Sequence, residues 1–580
     1  MAWLLIKKSY EAFDEKTCEE TDATTRIEVN DNIIIYEKFN KRFFDDKLLS
    51  VDDKFLMILD GVLLNKKELL DNSSCDNLKE WVYQHVVRGE QIYTELRGPF
   101  DGCICDLEND ILYAFGNQTG DTAVFYYSDD NCFAVSSDFN MVFDFCKKNN
   151  KILSFNKTAA NHIISLGYVV EGNTFANEIH RVKPGNLVSV YGNNVREESY
   201  YRIDNTHIQN ISMEEAIEQL DKGFRKAVKR CFDKDLEYGY THHLADMSGG
   251  LDSRMTTWVA KDMGYTDITN ISYAKADSDE ERCARNVTVE LNNEFIFKQL
   301  DDLSFFYDIE DIINKNYGLA LYSGITGGNR LLSDLNFDKF GLEHTGQLGD
   351  VIIGSYSKDL THRDAINPTA ISYSDFVSPI LCNSNDFNDH EMFAMYYRGF
   401  QGILSTHFIR SKYTLAVSPF IDVDFINLCF SFPLEYRINH NLYFKWLYKK
   451  YPEAASVPST TVDPQKAKKT WRDVGRKLVG KNKRAVVSFL KKHKLYFFIE
   501  DPNTMNPLDY WYYKNSKIRG FMNKYYEDHI ALLDDYPDTQ ETVTKVFNAE
   551  RANDKVLALT VLGVYAVYWG EQENGKQAAV

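Results

Sequence analysis

The segment Ser248-Gly249-Gly250-Leu251-Asp252-Ser253 carries the residue types that phosphate chemistry needs. Gly249 and Gly250 let the backbone approach phosphate oxygens, and Ser248 and Ser253 offer hydroxyls to them. Asp252 alone would repel phosphate, so its presence implies a divalent cation between the two. An oxygen-rich, water-keeping site of this kind suits Mg²⁺. The spacing is not that of a Walker loop, which needs Gly-x4-Gly-Lys-Ser/Thr. A plain Gly-Gly turn after a strand is the structural alternative.

The elements on either side decide whether such a loop can work. His242 to Met247 reads as a strand entering it, and Asp252 to Met263 as an amphipathic helix leaving it, closed by Gly264. Strand, glycine turn and helix together point free N–H groups and a helix dipole at an anion. Within that strand His242 and His243 face opposite sides, so they share no metal. Upstream, Ser212-Met213-Glu214-Glu215 is a capping box, and Ile217, Leu220, Phe224 and Val228 keep helical spacing behind it. From there helices alternate with short apolar runs, the pattern of a parallel sheet between helices, and after about residue 390 the chain reads as nearly all helix. The first ~200 residues read mostly as strands with a few helices such as Asn77 to Val87, giving stacked antiparallel sheets with flanking helices. The boundary falls around residues 200–211, dividing the chain into 1–205 and 206–580.

Composition narrows the function classes. The chain has 580 residues, 44% hydrophobic and 26% charged, which is globular and too long for one core. A net charge of −19 argues against nucleic-acid partners. Ten cysteines form no CxxC pair and no zinc spacing; Cys103 and Cys105 read as core thiols, and a reducing cytoplasm fits this usage. The N-terminal apolar run reads as a first buried strand. Val556 to Trp569 is shorter than the roughly 20 residues of a membrane span and reads as a buried helix.

The loop resembles that of the ATP pyrophosphatase superfamily, in which ATP is split between its α and β phosphates. Downstream, Asn270-Ile271-Ser272-Tyr273-Ala274, Asp277-Ser278-Asp279-Glu280, Thr345-Gly346-Gln347-Leu348-Gly349-Asp350 and Ser418-Pro419-Phe420-Ile421-Asp422 follow in the order of the synthetase domain of the asparagine synthetase family. In the first half, Leu59 to Asn65, Leu96 to Gly102, Phe125-Tyr126-Tyr127, Val135-Ser136-Ser137 and Arg181 to Gly185 are similar to segments of that family's glutaminase domain. The resemblance covers about residues 1–475. It implies an α/β protein: an N-terminal-nucleophile αββα sandwich followed by a doubly wound parallel-sheet ATP pyrophosphatase domain with a helical C-terminal part. It further implies nucleotide contacts from Ser248, Gly249, Gly250, Asp252, Ser253, Ser272, Thr345 and Gly346, with Mg²⁺ held by Asp252 and Asp350. A catalytic lysine falls in Pro464-Gln465-Lys466-Ala467-Lys468-Lys469, with Lys466 favoured and Lys468 next. It would neutralise charge on the α-phosphate and on the tetrahedral oxyanion.

The departures matter as much. The family's glutaminase uses a cysteine at the mature N-terminus; here methionine removal leaves Ala2, and the first cysteine is Cys18. Asp60-Gly61-Val62 replaces Asn-Gly-Glu, so the carboxylate that would hold the glutamine amine is missing. This half keeps the fold without glutamine hydrolysis. Gln347 stands where the family has Glu, and a neutral amide cannot accept a proton from an attacking amine. Arg254 either reaches a phosphate or substrate carboxylate, or is a surface helix arginine. The basic run from Arg472 to Lys494 is either a solvated helix face or a steering patch.

The expectation is an AMP-forming carbon–nitrogen ligase that adenylates a small-molecule or peptide carboxylate and couples it to an amine. It resembles the glutaminase-deficient members of the family, such as β-lactam and carbapenam synthetases and lasso-peptide cyclases; relatives with Asp-Ser-Arg in the loop look like enzymes of surface-polysaccharide modification. An ammonia-dependent asparagine synthetase and a nucleotide-binding scaffold are the alternatives. A cytoplasmic chain without a membrane span or nucleic-acid partner is expected, and a homodimer is compatible.

Overall fold

The computed structural model describes residues 2–8, 24–38, 40–325, 327–360, 365–463 and 503–570. Cys18, Lys466, Lys468 and the basic run from Arg472 to Lys494 lie outside these.

Among the described residues, twelve strands precede residue 200: β1 (Ala2–Lys8), β2 (Thr24–Glu28), β3 (Ile33–Lys38), β4 (Leu48–Val51), β5 (Phe55–Gly61), β6 (Phe100–Asp106), β7 (Ile111–Gly116), β8 (Phe125–Ser128), β9 (Cys132–Ser136), β10 (Ile179–Arg181), β11 (Asn186–Tyr191) and β12 (Asn194–Ser199). They form two antiparallel six-stranded sheets, ordered β10-β8-β9-β1-β3-β2 and β12-β11-β7-β6-β5-β4. Side chains alternate across each strand. In β1, Trp3 and Leu5 meet Leu56, Ile58, Cys103 and Cys105 between the sheets. Leu4 and Ile6 face the other way, towards Phe139 and Ile163 of the helices Phe139–Lys148 and Lys157–Leu166. On the outer side of the second sheet, Met57 and Leu59 pack on Trp81 and Val82 of the helix Leu78–Val87. The result is a four-layer αββα sandwich. It explains why β1 is apolar at successive positions: both faces are covered.

The later strands are β13 (His242–Asp246), β14 (Ile268–Ala274), β15 (Glu294–Gln299), β16 (Phe340–His344) and β17 (Ala416–Val417). All four pairings are parallel and the order is β15-β14-β13-β16-β17. This is a doubly wound sheet, and the strand order reverses beside β13. The crevice at the carboxyl ends of β13 and β16 is therefore where such a sheet takes a ligand. Helices dominate the remainder, among them Asn441–Lys450, Ser516–His529 and Ala552–Trp569. Among the described residues, no helix is long and apolar enough to cross a membrane.

The helix Met213–Glu237 ties the parallel sheet to the sandwich. Its start has the capping box expected of Ser212 and Glu215, and its stripe of Ile217, Leu220, Phe224 and Val228 is buried. Further along, Arg230 donates to Glu68 at 2.7 Å and to Asp422 at 2.8 Å, and the Lys234 ammonium lies 3.0 Å from Asp46. Buried ions of this kind need partners on every side, which fixes how the two halves meet.

Candidate active site at the carboxyl edge of the parallel sheet

The chain leaves β13 at Asp246, turns through residues 247–251 and enters the helix Asp252–Asp262. The turn is held from inside. The Ser248 N–H donates to Ser253 Oγ at 2.9 Å, the two serine hydroxyls are 2.8 Å apart, and the Gly250 N–H donates to Ser248 Oγ at 3.2 Å.

A second loop closes on the first. After β16, Thr345 bonds through its N–H to the carbonyl of Val417 at 2.7 Å, and residues 346–349 fold back on the start of the helix Asp252–Asp262. A Cβ on Gly346 would sit 2.2 Å from the Ser253 nitrogen, so only glycine permits this approach. The loop delivers Asp350 to Asp252: the Asp350 N–H donates to Asp252 Oδ2 at 3.0 Å, and the Tyr443 hydroxyl donates to Asp252 Oδ1 at 2.8 Å. Removal from water, and then the charge of Asp350, push Asp252 up to about 8 despite both hydrogen bonds. Asp350 is raised too, chiefly by partial desolvation. Asp252 is half-buried and Asp350 open to solvent, and neighbouring carboxyls that each raise the cost of the other's charge are the oxygen donor set that a hard divalent cation balances, so the residues fit Mg²⁺.

Arg254 has a role that neither sequence reading anticipated. It is fully buried. Its guanidinium donates to the carbonyls of Ala454 at 2.9 Å, Val457 at 2.8 Å and Pro458 at 2.6 Å. No phosphate or substrate carboxylate can reach a group so engaged, nor does it lie on the surface. It anchors the segment that next lays Ser459 and Thr460 over the glycines, where Thr460 N–H and Ser459 Oγ donate to the Gly249 carbonyl at 2.9 and 3.0 Å. Glu280 also packs against Gly249, and burial raises its pKa.

The expected residues thus fall into groups. Ser248, Gly249, Gly250, Asp252 and Ser253 form the first loop; Thr345, Gly346, Gln347 and Asp350 form the second, against it. Ser272 lies buried near the end of β14. The Gln347 carboxamide is turned to the Thr406 hydroxyl, 2.7 Å away. Lys466 and Lys468 lie outside the described residues.

Three features escaped the sequence reading. Tyr443 reaches Asp252 from a helix about 190 residues away in sequence, a distance that no local pattern bridges. Under the loop, Arg410 pairs with Glu343 and lies 3.1 Å from Asp246, joining the ends of β13 and β16. His243 and His344 both donate to Asp235 Oδ2 at 2.7 Å, with Phe232 stacked on His344 at 3.9 Å. These three are the grouping of metal-ligating types found among the described residues. Their 2.7 Å contacts are hydrogen bonds, and His243 acts here without His242, which is exposed on the opposite face.

Between the sandwich and the second half, Ala2, Asp60, Asp101 and Asp121 line a cavity of about 350 Å³. Trp3 donates to Asp101 at 2.7 Å and Lys47 lies 3.4 Å from Asp60, so these carboxyls are engaged within the protein. Among the described residues lining this cavity there is no cysteine.

No protein-family profile matches the chain, and no curated protein matches it in sequence. Among solved structures the chain is similar to the glutamine phosphoribosylpyrophosphate amidotransferase from B. subtilis complexed with ADP and GMP, at 10% identity over 47% of this chain and 78% of that one, TM-score 0.20. It is also similar to an allosteric regulatory enzyme of purine biosynthesis, at 9% identity over 51% of this chain and 74% of that one, TM-score 0.20. Likeness at this level carries no argument about activity.

Proposed function

We propose that this chain is an ATP-dependent amide synthetase: it adenylates a carboxylate, releasing pyrophosphate, and couples the acyl group to an amine, releasing AMP. The observation that carries this reading is the meeting of Asp252 and Asp350 at the switch point of a parallel sheet, directly beside a glycine turn that opens a helix. In this reading the N–H groups of the turn and the Ser248 and Ser253 hydroxyls hold the phosphates, and Asp252 and Asp350 hold Mg²⁺, which when bound offsets charge on the leaving pyrophosphate. Tyr443 fixes the Asp252 carboxylate, and Ser459 and Thr460 cover the turn and exclude water. Residues 1–205 then serve as a glutaminase-like half without glutamine hydrolysis, and 206–580 as the synthetase. Asp60-Gly61-Val62, where the glutaminases have Asn-Gly-Glu, supports a nitrogen source other than glutamine: free ammonia, or an amine on a second substrate or on the same molecule.

A nucleotide-binding scaffold is the second reading, favoured by Gln347, whose neutral amide donates to Thr406 and offers no carboxylate base. Pyrophosphate release across a panel of carboxylates separates the two. Release should fall by on the order of 100-fold or more in Asp252→Asn. Release unchanged in that variant would sink the metal assignment, and no release with any carboxylate would favour the scaffold.

A further inference from the structure

A cleft of about 620 Å³ opens past the carboxyl end of β14, lined by Lys275, Asp301, Tyr510, Lys514 and Lys517 among others. That volume is within the roughly 300–1,000 Å³ of ligand sites. Its place in the fold connects it to the phosphate loop. Lys275 directly follows β14, and the short connection from it leads to Ser278, which caps the helix Asp279–Glu290, and to Glu280, which touches Gly249. The far wall is pinned to the same connection, because the Lys275 and Asp279 N–H groups both donate at 2.9 Å, to the carbonyls of Met505 and Asn503.

The charges in the cleft run against those of the chain. The protein carries −19 overall, yet here three lysines meet one aspartate. Asp301 is occupied, accepting from the Ala276 N–H at 2.7 Å. The Lys275 ammonium donates to the Ala276 carbonyl at 2.9 Å, and that of Lys514 to the Tyr510 hydroxyl at 2.9 Å, 5.1 Å from the Tyr510 ring centre. Among the described residues no carboxylate pairs with these two lysines or with Lys517. Asn515, Ser516 and Lys517 also form the start of the helix Ser516–His529, whose dipole adds positive potential at the wall. Cations left without carboxylate partners in an acidic protein hold a potential that attracts anions.

We propose that this cleft binds the anionic far end of the acyl substrate, a segment bearing two or more carboxylates or phosphates, while its reacting carboxylate sits at the phosphate loop. That the anion is the substrate's rests on the synthetase reading; the anion site itself does not. The substrate class then excludes a simple amino acid and requires an extended polyanionic acid.

Calorimetric titration of the full chain with hexaglutamate and, separately, with tripolyphosphate tests this. The expected result is binding that weakens at least tenfold in Lys514→Glu/Lys517→Glu and in Lys275→Gln, and that weakens in about 0.3 M salt. Hexaglutamate alone binding assigns carboxylates, and tripolyphosphate alone assigns phosphates. Lys514 and Lys517 are exposed, so their reversal leaves the fold intact, and a matching circular dichroism spectrum verifies this. Binding equal in wild type and all variants, or none in wild type, overturns the proposal; tripolyphosphate binding that survives charge reversal belongs to the phosphate loop and counts against the cleft. Asp252→Asn should keep hexaglutamate binding while losing pyrophosphate release, so failure of the cleft and failure of the synthetase reading are read separately.

Discussion

The side chain of Gln347 donates to the hydroxyl of Thr406, whose own proton goes to the carbonyl of Ile403 at 2.9 Å. The Thr406 oxygen is thus an acceptor towards residue 347. A glutamate there would set a carboxylate against that oxygen. Gln347→Glu should therefore lower stability by about 1–2 kcal/mol, read as a fall in the denaturation midpoint. Gln347→Ala should leave pyrophosphate release within a few-fold of wild type, because the residue faces Thr406 and not the Asp252–Asp350 pair. A large loss of release in that variant would give Gln347 a part in the first chemical step, beyond the amine attack for which the family Glu is expected.

Much of this site was legible in the sequence because its pieces are local. Strand β13, the glycine turn and the helix behind it each follow from a few adjacent residues, and so does the loop from Thr345 to Asp350. Residues that act over long separations were not legible. Tyr443, Thr406 and the Ala454–Pro458 carbonyls meet the site only through folding, and no spacing rule links them to residues 248–254. Arg254 was misread because a first-turn helix arginine usually meets solvent or an anion; here the covering segment supplies carbonyls in their place. The four-layer sandwich was readable from alternation along strands, but the meeting of Asp235, His243 and His344 required the sheet order.

The two loop glycines should respond differently to a methyl group. A Cβ on Gly249 would lie 2.7 Å from Thr460 Cγ2 and 2.8 Å from Glu280 Oε2, whereas on Gly250 its nearest neighbours are 3.4 and 3.5 Å away. Gly249→Ala should cost about 1–3 kcal/mol by overpacking. Gly250→Ala should keep stability within about 0.5 kcal/mol and, if the synthetase proposal holds, weaken ATP binding at least tenfold, since in that proposal its methyl group takes the space a phosphate would enter. Equilibrium denaturation and nucleotide titration of both variants check this pair; equal stability losses would mean that the segment over Gly249 yields.

Arg254→Met should release that segment. It leaves the carbonyls of Ala454, Val457 and Pro458 without their donor, at a cost of about 3 kcal/mol. Hydrogen exchange should speed up selectively over residues 457–463, and the KM for ATP should rise more than kcat falls. Arg254→Lys should recover part of the loss, because one ammonium can meet one or two of the three carbonyls. Exchange unchanged at 457–463 would show that other contacts hold the cover.

Acid should destabilise the protein through the buried group behind the sheet. Burial pushes His344 below its ordinary 6.5, and this outweighs the upward pull of Asp235. Burial works against the Asp235 carboxylate, but His344 and His243 donating to it hold its pKa below the ordinary 3.8. The two signs agree. Between the lowered value of His344 and 6.5, the unfolded chain binds a proton that the folded chain refuses, so stability falls as pH falls through that window. Below 3.8 the same holds for Asp235, whose contribution is present at higher pH and lost as the carboxylate protonates. The contribution of this group should be flat above about pH 7 and decline from about pH 6.5 downward, against the opposite slope of Asp252, which at about 8 in the folded chain adds stability as pH falls; the difference between wild type and a His344 variant isolates it. His344→Phe should cost about 1–3 kcal/mol at pH 8, leaving Asp235 one donor short, while reducing the decline between about pH 6.5 and 5. An equally steep decline in that variant would move the acid sensitivity to histidines elsewhere in the chain.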